Sequence, residues 1–298
     1  MKNKIRDSRQ DIVFNVFNYL FLVLVLAVVA FPLINVVSQS ISSAESVYAG
    51  KVLLFPVEPT LAAYSRIATN LNILNGFWNS AIYTVVFTIV SLTMTIMAAY
   101  PLSRKTFYGR TLILWIFTFT MLFSGGLIPT YLLVKSLGLR DTMWALVLPS
   151  SIGVWNIILA RTYYQSSIPV ELYEASELDG CSDINVFLKI VIPLSKPIMA
   201  VIVLYNSVWM WNSYYDALIY LSTSAKYPLQ LVLRNILMSS QMQGQLASSG
   251  TGDVASSMAQ VEVLRYSVIV FSSIPVMIMY PFVQKYFTKG IMIGSLKG

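Results

Sequence analysis

The sequence predicts an all-α membrane protein with six transmembrane helices in one integral-membrane domain spanning residues 1–298. Three observations carry this prediction. Charged residues make up only 11% of the 298 residues and hydrophobic ones 56%, whereas a soluble domain is about one quarter charged. Six apolar runs each approach the roughly 20 residues that a helix needs to cross a bilayer. Lysines and arginines are distributed unevenly between alternate connecting segments, as the positive-inside rule requires of a polytopic chain.

The first run, about Phe17 to Val37, follows a basic start with Lys2, Lys4, Arg6 and Arg9. It is longer than the h-region of a cleaved signal peptide, so it reads as an uncleaved signal anchor. The second run is about Phe77 to Tyr100, the third about Leu112 to Leu133 and the fourth about Thr142 to Tyr163. The fifth is about Ile198 to Leu221 and the sixth about Leu264 to Phe287. With a cytoplasmic N-terminus, 13 of the 20 Lys and Arg residues fall in inside segments, which are also the shorter ones. Both termini are then expected in the cytoplasm. Pro149, Pro275 and the Gly125–Gly126 pair with Pro129 interrupt the fourth, sixth and third runs. Such breaks are tolerated where neighbours re-satisfy the freed backbone groups. They read either as static kinks or as irregular backbone lining a gate or cavity.

Composition also excludes chemistry. The chain has no histidine and one cysteine, Cys181. Histidine-ligated zinc, Ser-His-Asp hydrolysis, histidine general-base catalysis and an internal disulfide are therefore excluded. No metal site and no catalytic residue is expected. The net charge of +7 reads as loop charge at a membrane surface rather than as a nucleic-acid footprint, because no polar segment carries a basic stripe with interleaved aromatics. No G-x-x-x-x-G-K-[ST] phosphate loop occurs, so the chain itself is not expected to hydrolyse ATP or hold a cofactor.

The most informative segment joins the fourth and fifth runs, from Ser166 to Pro197. Ser167 can cap a helix with Pro169 in its first turn. Glu171, Glu174 and Glu177 lie along that helix, biased toward its early turns, where acid is favoured. Leu172, Ala175 and Leu178 recur at three-residue steps and supply an apolar side. Gly180 stops the helix in the left-handed conformation. Ser182 or Asp183 can cap a second helix, whose apolar face is Val186, Phe187, Ile190 and Val191. Pro193 and Pro197 close the segment. Two short amphipathic helices outside the bilayer need a surface to bury against, and the acidity of the first argues for a protein groove over an anionic lipid surface.

Glu174-Ala175-Ser176, followed by Gly180, Ile190 and Ile192-Pro193 at the family's spacing, resembles the EAA loop of the permease subunits of binding-protein-dependent ABC importers. Ser176 stands where the pattern has a second alanine, and Ile192 where it has leucine. Leu178-Asp179-Gly180 with Pro193-Leu194-Ser195-Lys196-Pro197 is similar to the carbohydrate-uptake branch. So are Phe123-Ser124-Gly125-Gly126-Leu127-Ile128-Pro129-Thr130-Tyr131 and the tail from Lys289 to Gly298. The resemblance runs from the second apolar run to the C-terminus, with a permease core over residues 76–287.

The resemblance implies a type I ABC importer permease acting by alternating access. Its implied partners are a second, similar permease chain, a cytoplasmic ATPase dimer that uses ATP and magnesium, and an extracellular solute-binding protein. Glu174, Ala175, Ser176, Gly180, Ile190 and Pro193 would form the ATPase-coupling element. The implied solute is a carbohydrate, of oligosaccharide size. In the fifth run, Tyr205, Trp209, Asn212, Asp216 and Tyr220 fall on one helical stripe of roughly 80°. A carboxylate such as Asp216 costs about 2.5–3.5 kcal/mol at the bilayer centre and less near the interface. The stripe reads as a solute path of aromatic rings and polar groups, or equally as an interfacial aromatic belt with a snorkelling Asp216. The outer segment from Ser222 to Glu262, rich in Ser, Gly and Gln over Gln241 to Gly252, reads as a docking loop or a disordered connector. A secondary transporter or channel is the rival reading; it would need ionisable residues deep in several runs, and only Asp216 is a candidate.

Overall fold

The structure, a computed structural model, describes residues 8–247 and 253–295. Lys2, Lys4 and Arg6 of the basic start and the end of the tail motif, 296–298, lie outside the described residues. Along the chain run α1 (Arg9–Ser40), α2 (Ala44–Tyr48), α3 (Ala62–Thr69), α4 (Leu71–Ser103), α5 (Arg110–Leu122) and α6 (Leu127–Ser136). Next come α7 (Trp144–Val147), α8 (Val154–Ser167), α9 (Val170–Leu178), α10 (Asp183–Val186), a π-helical turn Phe187–Val191 and α11 (Ile192–Leu194). The chain continues with α12 (Lys196–Asn212), α13 (Tyr215–Tyr220), α14 (Leu229–Ala247) and α15 (Asp253–Ser295). No strand occurs among the described residues, in keeping with the all-α expectation. The chain divides into two compact units, one of residues 1–70 with 235–271 and the other of 71–234 with 272–298.

In the first unit, α1 opens on a capping box: the Asp11 N–H donates to Ser8 Oγ, and the Ser8 N–H to the Asp11 carboxylate. From Ile12 to Val29 its side chains are exposed within the chain, so lipid is the medium that its apolar length suits. Polar anchors gather at its C-terminal end. Asn35 Nδ2 donates to Leu53 O at 2.6 Å and Ser38 Oγ to Leu54 O at 2.7 Å. Ser42 Oγ accepts from the Val57 N–H at 3.0 Å, and Ser267 Oγ donates to Ser40 O at 2.9 Å. Val47, Val52, Ala63 and Val263 pack a small core beneath these anchors.

The second unit is organised by α4, which packs along α12 and α8. Ser80, Thr84, Thr88, Ser91 and Thr95 are all buried and recur at steps of three or four, so small side chains line one face of α4. Small residues let membrane helices approach, and hydrogen bonds then join them. Asn206 of α12 is the hub: its Nδ2 donates to Ser91 Oγ at 3.0 Å, and its Oδ1 accepts from Asn156 Nδ2 of α8 at 3.0 Å. One side chain thereby ties three helices. Asn206→Leu leaves Ser91 and Asn156 without these partners and is expected to cost about 1–2 kcal/mol. The cost should appear as a lowered unfolding midpoint of the detergent-solubilised chain; an unchanged midpoint would remove Asn206 from the account of how these helices are held.

Among the described residues, three helices are long and apolar enough to cross a membrane, or five if each of two sharply bent pairs is one span. The first, second and sixth apolar runs are continuous in α1, α4 and α15, and Pro32 and Pro275 lie inside unbroken helix. The third run bends by 111° between α5 and α6, where Gly126 takes φ +83 and Pro129 falls in the first turn of α6, a position that tolerates it. The fourth run divides into α7, a break containing Pro149, and the 14-residue α8, which at about 21 Å is shorter than the hydrocarbon core.

The fifth run departs from the expected single stripe. Helix α12 stops at Asn212, Ser213 is extended at ψ 128, and α13 starts afresh at Tyr215. No proline or glycine causes this break. Asn212 Nδ2 turns back onto Val208 O at 2.8 Å, the competition with helix that Asn and Ser side chains offer. Within the outer segment, the expected connector is instead helical over Leu229–Ala247, with Leu229, Leu231, Val232 and Leu233 buried. Gly76 allows the approach, because a Cβ there would stand 3.1 Å from Val232 Cγ2 and 3.2 Å from Leu229 Cα. Of the Ser/Gly/Gln-rich stretch, residues 248–252 lie outside the described residues.

A clasp closes the same end of this unit. Asp141, at φ +58, accepts from the N–H groups of Ser222 and Thr223 at 2.9 and 3.0 Å. Its other oxygen accepts from Thr223 Oγ1 at 2.7 Å and Lys226 Nζ at 2.8 Å. Lys226 and these donors hold the Asp141 carboxyl well below the usual carboxylate range. A depressed pKa contributes stability that is complete above the unfolded value, about 3.9, and fades as the pH falls below it. Asp141→Asn retains a residue that tolerates positive φ but loses the anion. The unfolding midpoint of the wild type should exceed that of the variant by a constant margin from pH 6 to 8. The margin should shrink below about pH 4; a margin that persists there would show that the charge is not what closes the clasp.

Candidate functional site

The segment 166–197 folds as a helical hairpin beneath α4 and α8. Helix α9 begins two residues later than expected: Pro169 rather than Ser167 is its N-cap, and Ser167 is the last residue of α8. The cause is local. A residue preceding proline is pushed out of helical conformation, and Ile168 is extended at ψ 114, which separates the two helices without any side-chain cap. At the other end, the Gly180 N–H donates to Glu177 O at 3.1 Å and the Cys181 N–H to Ser176 O at 2.9 Å. With Gly180 at φ +71, this is the Schellman arrangement that the glycine predicted. Ser182 then caps α10, its Oγ accepting from the Asn185 N–H.

The apolar side expected to seek a protein groove is left free, and a different side of α9 packs on the bundle. Leu172, Ala175 and Leu178 are exposed, Leu178 at 90%. Tyr173 and Ser176 are the buried pair. Tyr173 enters a core with Leu102, Ile157, Ala160, Tyr164 and Ile168, and Arg104 of the α4–α5 connection lies over its ring at 3.9 Å. The same guanidinium donates to Glu177 Oε1 at 3.0 Å. Ser176 Oγ donates to Tyr173 O at 2.7 Å, so this small residue turns its hydroxyl back into the helix and lets α9 sit close. Burial pushes the Tyr173 hydroxyl pKa up, with Arg104 opposing the shift; the side chain is neutral at physiological pH.

The second arm anchors as its pattern predicted. Val186 and Val191 are buried, with Phe187 and Ile190 half-buried. Tyr100 of α4 stacks on Phe187 at 4.9 Å between ring centroids, and its hydroxyl donates to Asp183 O at 3.4 Å. Among the residues singled out in the sequence, Glu174, Ala175, Gly180 and Pro193 are exposed, while Ser176 and Ile190 face inward. Two residues that hold the hairpin, Arg104 and Tyr173, were not singled out. The only local signal was that Tyr173, Ser176 and Glu177 share one helical face; nothing in the sequence pairs that face with Arg104.

On α12, Tyr205, Trp209 and Asn212 remain together on an exposed face. Trp209 lies 5.1 Å from Phe87 of α4 between ring centroids, and Asn212 Oδ1 accepts from Gln230 Nε2 at 3.5 Å. Asp216 and Tyr220 sit beyond the break on α13 and do not continue that face; Asp216 is half-buried and Tyr220 buried.

Long apolar helices, a polar-stitched bundle and a helical hairpin anchored at one end define a multi-helix membrane protein. No family model matches the sequence. Individual relatives do. Over 286 residues the chain is 42% identical to the polygalacturonan/rhamnogalacturonan transport system permease protein YtcP of Bacillus subtilis (strain 168), covering 96% of this chain and 98% of that protein. It is 41% identical to protein LplC of the same organism, over 98% and 97% of the two chains. Among solved structures it is similar to a chain of a bacterial ABC transporter involved in the import of the acidic polysaccharide alginate. That match has a TM-score of 0.83 and 33% identity, over 95% of this chain and all of the other. The chain belongs to the family of ABC transport-system permease subunits; it is a membrane protein and not an enzyme.

Proposed function

We propose that this chain is one half of the permease pair of an ATP-driven importer that moves a carbohydrate of oligosaccharide size into the cytoplasm. The names of its relatives support a sugar polymer fragment as the solute. The α9–α10 hairpin would be the coupling element, set on the cytoplasmic side with both chain termini. Glu174 and Ala175, with Gly180 at the turn, would seat in a groove of a separate ATPase dimer that binds ATP and magnesium. Ser176, Ile190 and Pro193 would support that surface from within the hairpin and at its exit.

The observation that carries the reading is the two-sidedness of α9. Its Tyr173–Ser176 side is bound into the α4–α8 core, while its acidic and apolar outer side has no cover within the described chain. A helix fixed on one face and free on the other can transmit a partner's movement to the bundle. Alternating access would then follow from rocking of this chain against a second, similar permease, with solute delivered by an extracellular binding protein. The exposed Tyr205–Trp209–Asn212 face of α12 offers what a sugar requires: rings for its apolar faces and an amide for its hydroxyls. Asp216, across the break, would contribute at the end of that path.

The test is purification of the tagged chain from its native membranes in a mild detergent, with co-purifying proteins identified by mass spectrometry. An ATPase subunit and a second permease are expected. Folded chain that returns neither, under conditions that keep other membrane complexes intact, would overturn the reading.

A further inference from the structure

A cavity of about 570 Å³ opens between the C-terminal end of α4, the start of α5, the end of α8 and the inner side of α9. It is basic. Lys105, Arg110 and Arg161 line it against Glu174, while the Arg104 and Glu177 charges in its wall satisfy each other at 3.0 Å. Arg161 uses Nε on Leu102 O at 3.0 Å, and Arg110 uses one Nη on Arg104 O at 3.4 Å. A guanidinium has five N–H donors, so both keep donors to spare. Neither forms an ion pair among the described residues, although both are half-buried. Glu174 shares the cavity but forms an ion pair with neither guanidinium, so the two cations repel each other, and an anion between them reverses that sign.

A second observation is independent of charge. Tyr164 also lines the cavity; it is 1% exposed, and its hydroxyl has no hydrogen-bond partner. The nearby Ser195 hydroxyl donates to Val191 O at 2.6 Å and does not lie in hydrogen-bonding geometry with Tyr164. A buried hydroxyl left unpaired costs about 1–3 kcal/mol and is a donor awaiting an acceptor.

We propose that this cavity is a binding site for a phosphate group, held by Arg110, Arg161 and the Tyr164 hydroxyl, and that an anionic phospholipid headgroup supplies it. Guanidinium forks match phosphate oxygens in pairs, and the volume lies in the range of small-molecule sites. The placement favours a lipid. The cavity sits where the apolar α4 ends; the adjoining turn exposes Phe107 and Tyr108, Tyr108 at 99%, and the start of α5 exposes Leu112. Aromatic residues of this kind sit at headgroup depth, and basic pockets between membrane helices take anionic headgroups. The proposal is independent of what docks on the outer side of α9.

The experiment measures the unfolding midpoint of the full chain in neutral detergent micelles while titrating phosphatidylglycerol, phosphatidylcholine or inorganic phosphate. Wild type, Arg110→Gln and Tyr164→Phe are compared. Phosphatidylglycerol should raise the wild-type midpoint and phosphatidylcholine should not. Arg110→Gln should raise the concentration needed by about tenfold or more. Tyr164→Phe should leave the lipid-free midpoint unchanged or higher, since it removes an unpaired hydroxyl, yet weaken the response to lipid. A full response to inorganic phosphate, lost in the same variants, would keep the phosphate site and reassign its source to a soluble anion. No response to either anion, or equal responses in all three proteins, would overturn the site.

Discussion

Glu174→Arg is expected to uncouple transport from ATP hydrolysis while leaving the permease folded. Glu174 is exposed, accepts no hydrogen bond from the described chain and lies at the rim of the basic cavity, so its replacement removes no hydrogen bond and little packing. Its expected coupling role is at the surface of a partner. Truncating one member of a buried, hydrogen-bonded charge pair at an interface costs about 2–5 kcal/mol, and reversing the charge adds repulsion. Affinity for the ATPase should fall at least about 30-fold, since 1.4 kcal/mol is tenfold. The measurement is uptake of labelled sugar oligomers in vesicles, alongside the amount of ATPase retained on the purified chain. Both should fall together, with an unfolding midpoint equal to that of wild type. Retained ATPase and normal uptake in Glu174→Arg would take the coupling role away from α9. Because Glu174 also borders the basic cavity, the lipid response of Arg110→Gln and Tyr164→Phe separates that site from this one.

What was legible in the sequence depended on the range of the interaction concerned. Gly180 was readable because the left-handed residue after a helix is a local demand, met by one residue type at low cost. The Val186–Val191 face was readable because four apolar residues at helical spacing outside a bilayer must find cover. The inner face of α9 was not legible, for an equally physical reason. Leu172, Ala175 and Leu178 are the more apolar triplet and read as seeking a protein groove, which leaves the side that packs on the bundle unmarked. Here the apolar triplet is left outward and a tyrosine goes in, because Arg104 waits under the bundle to cover its ring. That pairing joins residues about 70 positions apart, beyond any local pattern. The break after Asn212 was hidden differently: the run carries no proline or glycine, and the determinant is an asparagine amide turning onto its own helix. The Asn156–Asn206–Ser91 ladder likewise requires three helices to be in place before its members become partners.

Tyr173→Ala tests whether the hairpin moves with the bundle because it is anchored or merely because it is connected. The Tyr173 side chain is buried between the α4 and α8 ends and the Arg104 guanidinium. Removing a buried aromatic ring costs about 3–5 kcal/mol. Here the loss falls on a small element with few other contacts, so it should appear as local opening rather than global unfolding. Amide exchange across residues 170–186 is expected to accelerate about 100-fold or more, the equivalent of roughly 3 kcal/mol. Exchange in α4 and α12, held by the Asn206 ladder, should change little. Tyr173→Phe keeps the ring beneath Arg104 and should stay within a few-fold of wild type. If the ATPase still binds Tyr173→Ala while uptake collapses, docking and transmission are separate properties of the two faces of α9: the outer face holds the partner and the tyrosine carries its motion inward. Exchange in Tyr173→Ala that is unchanged from wild type would show that the chain connection through Ile168 and the α10 arm is sufficient. Uniform acceleration throughout the bundle would show instead that the hairpin is part of its core.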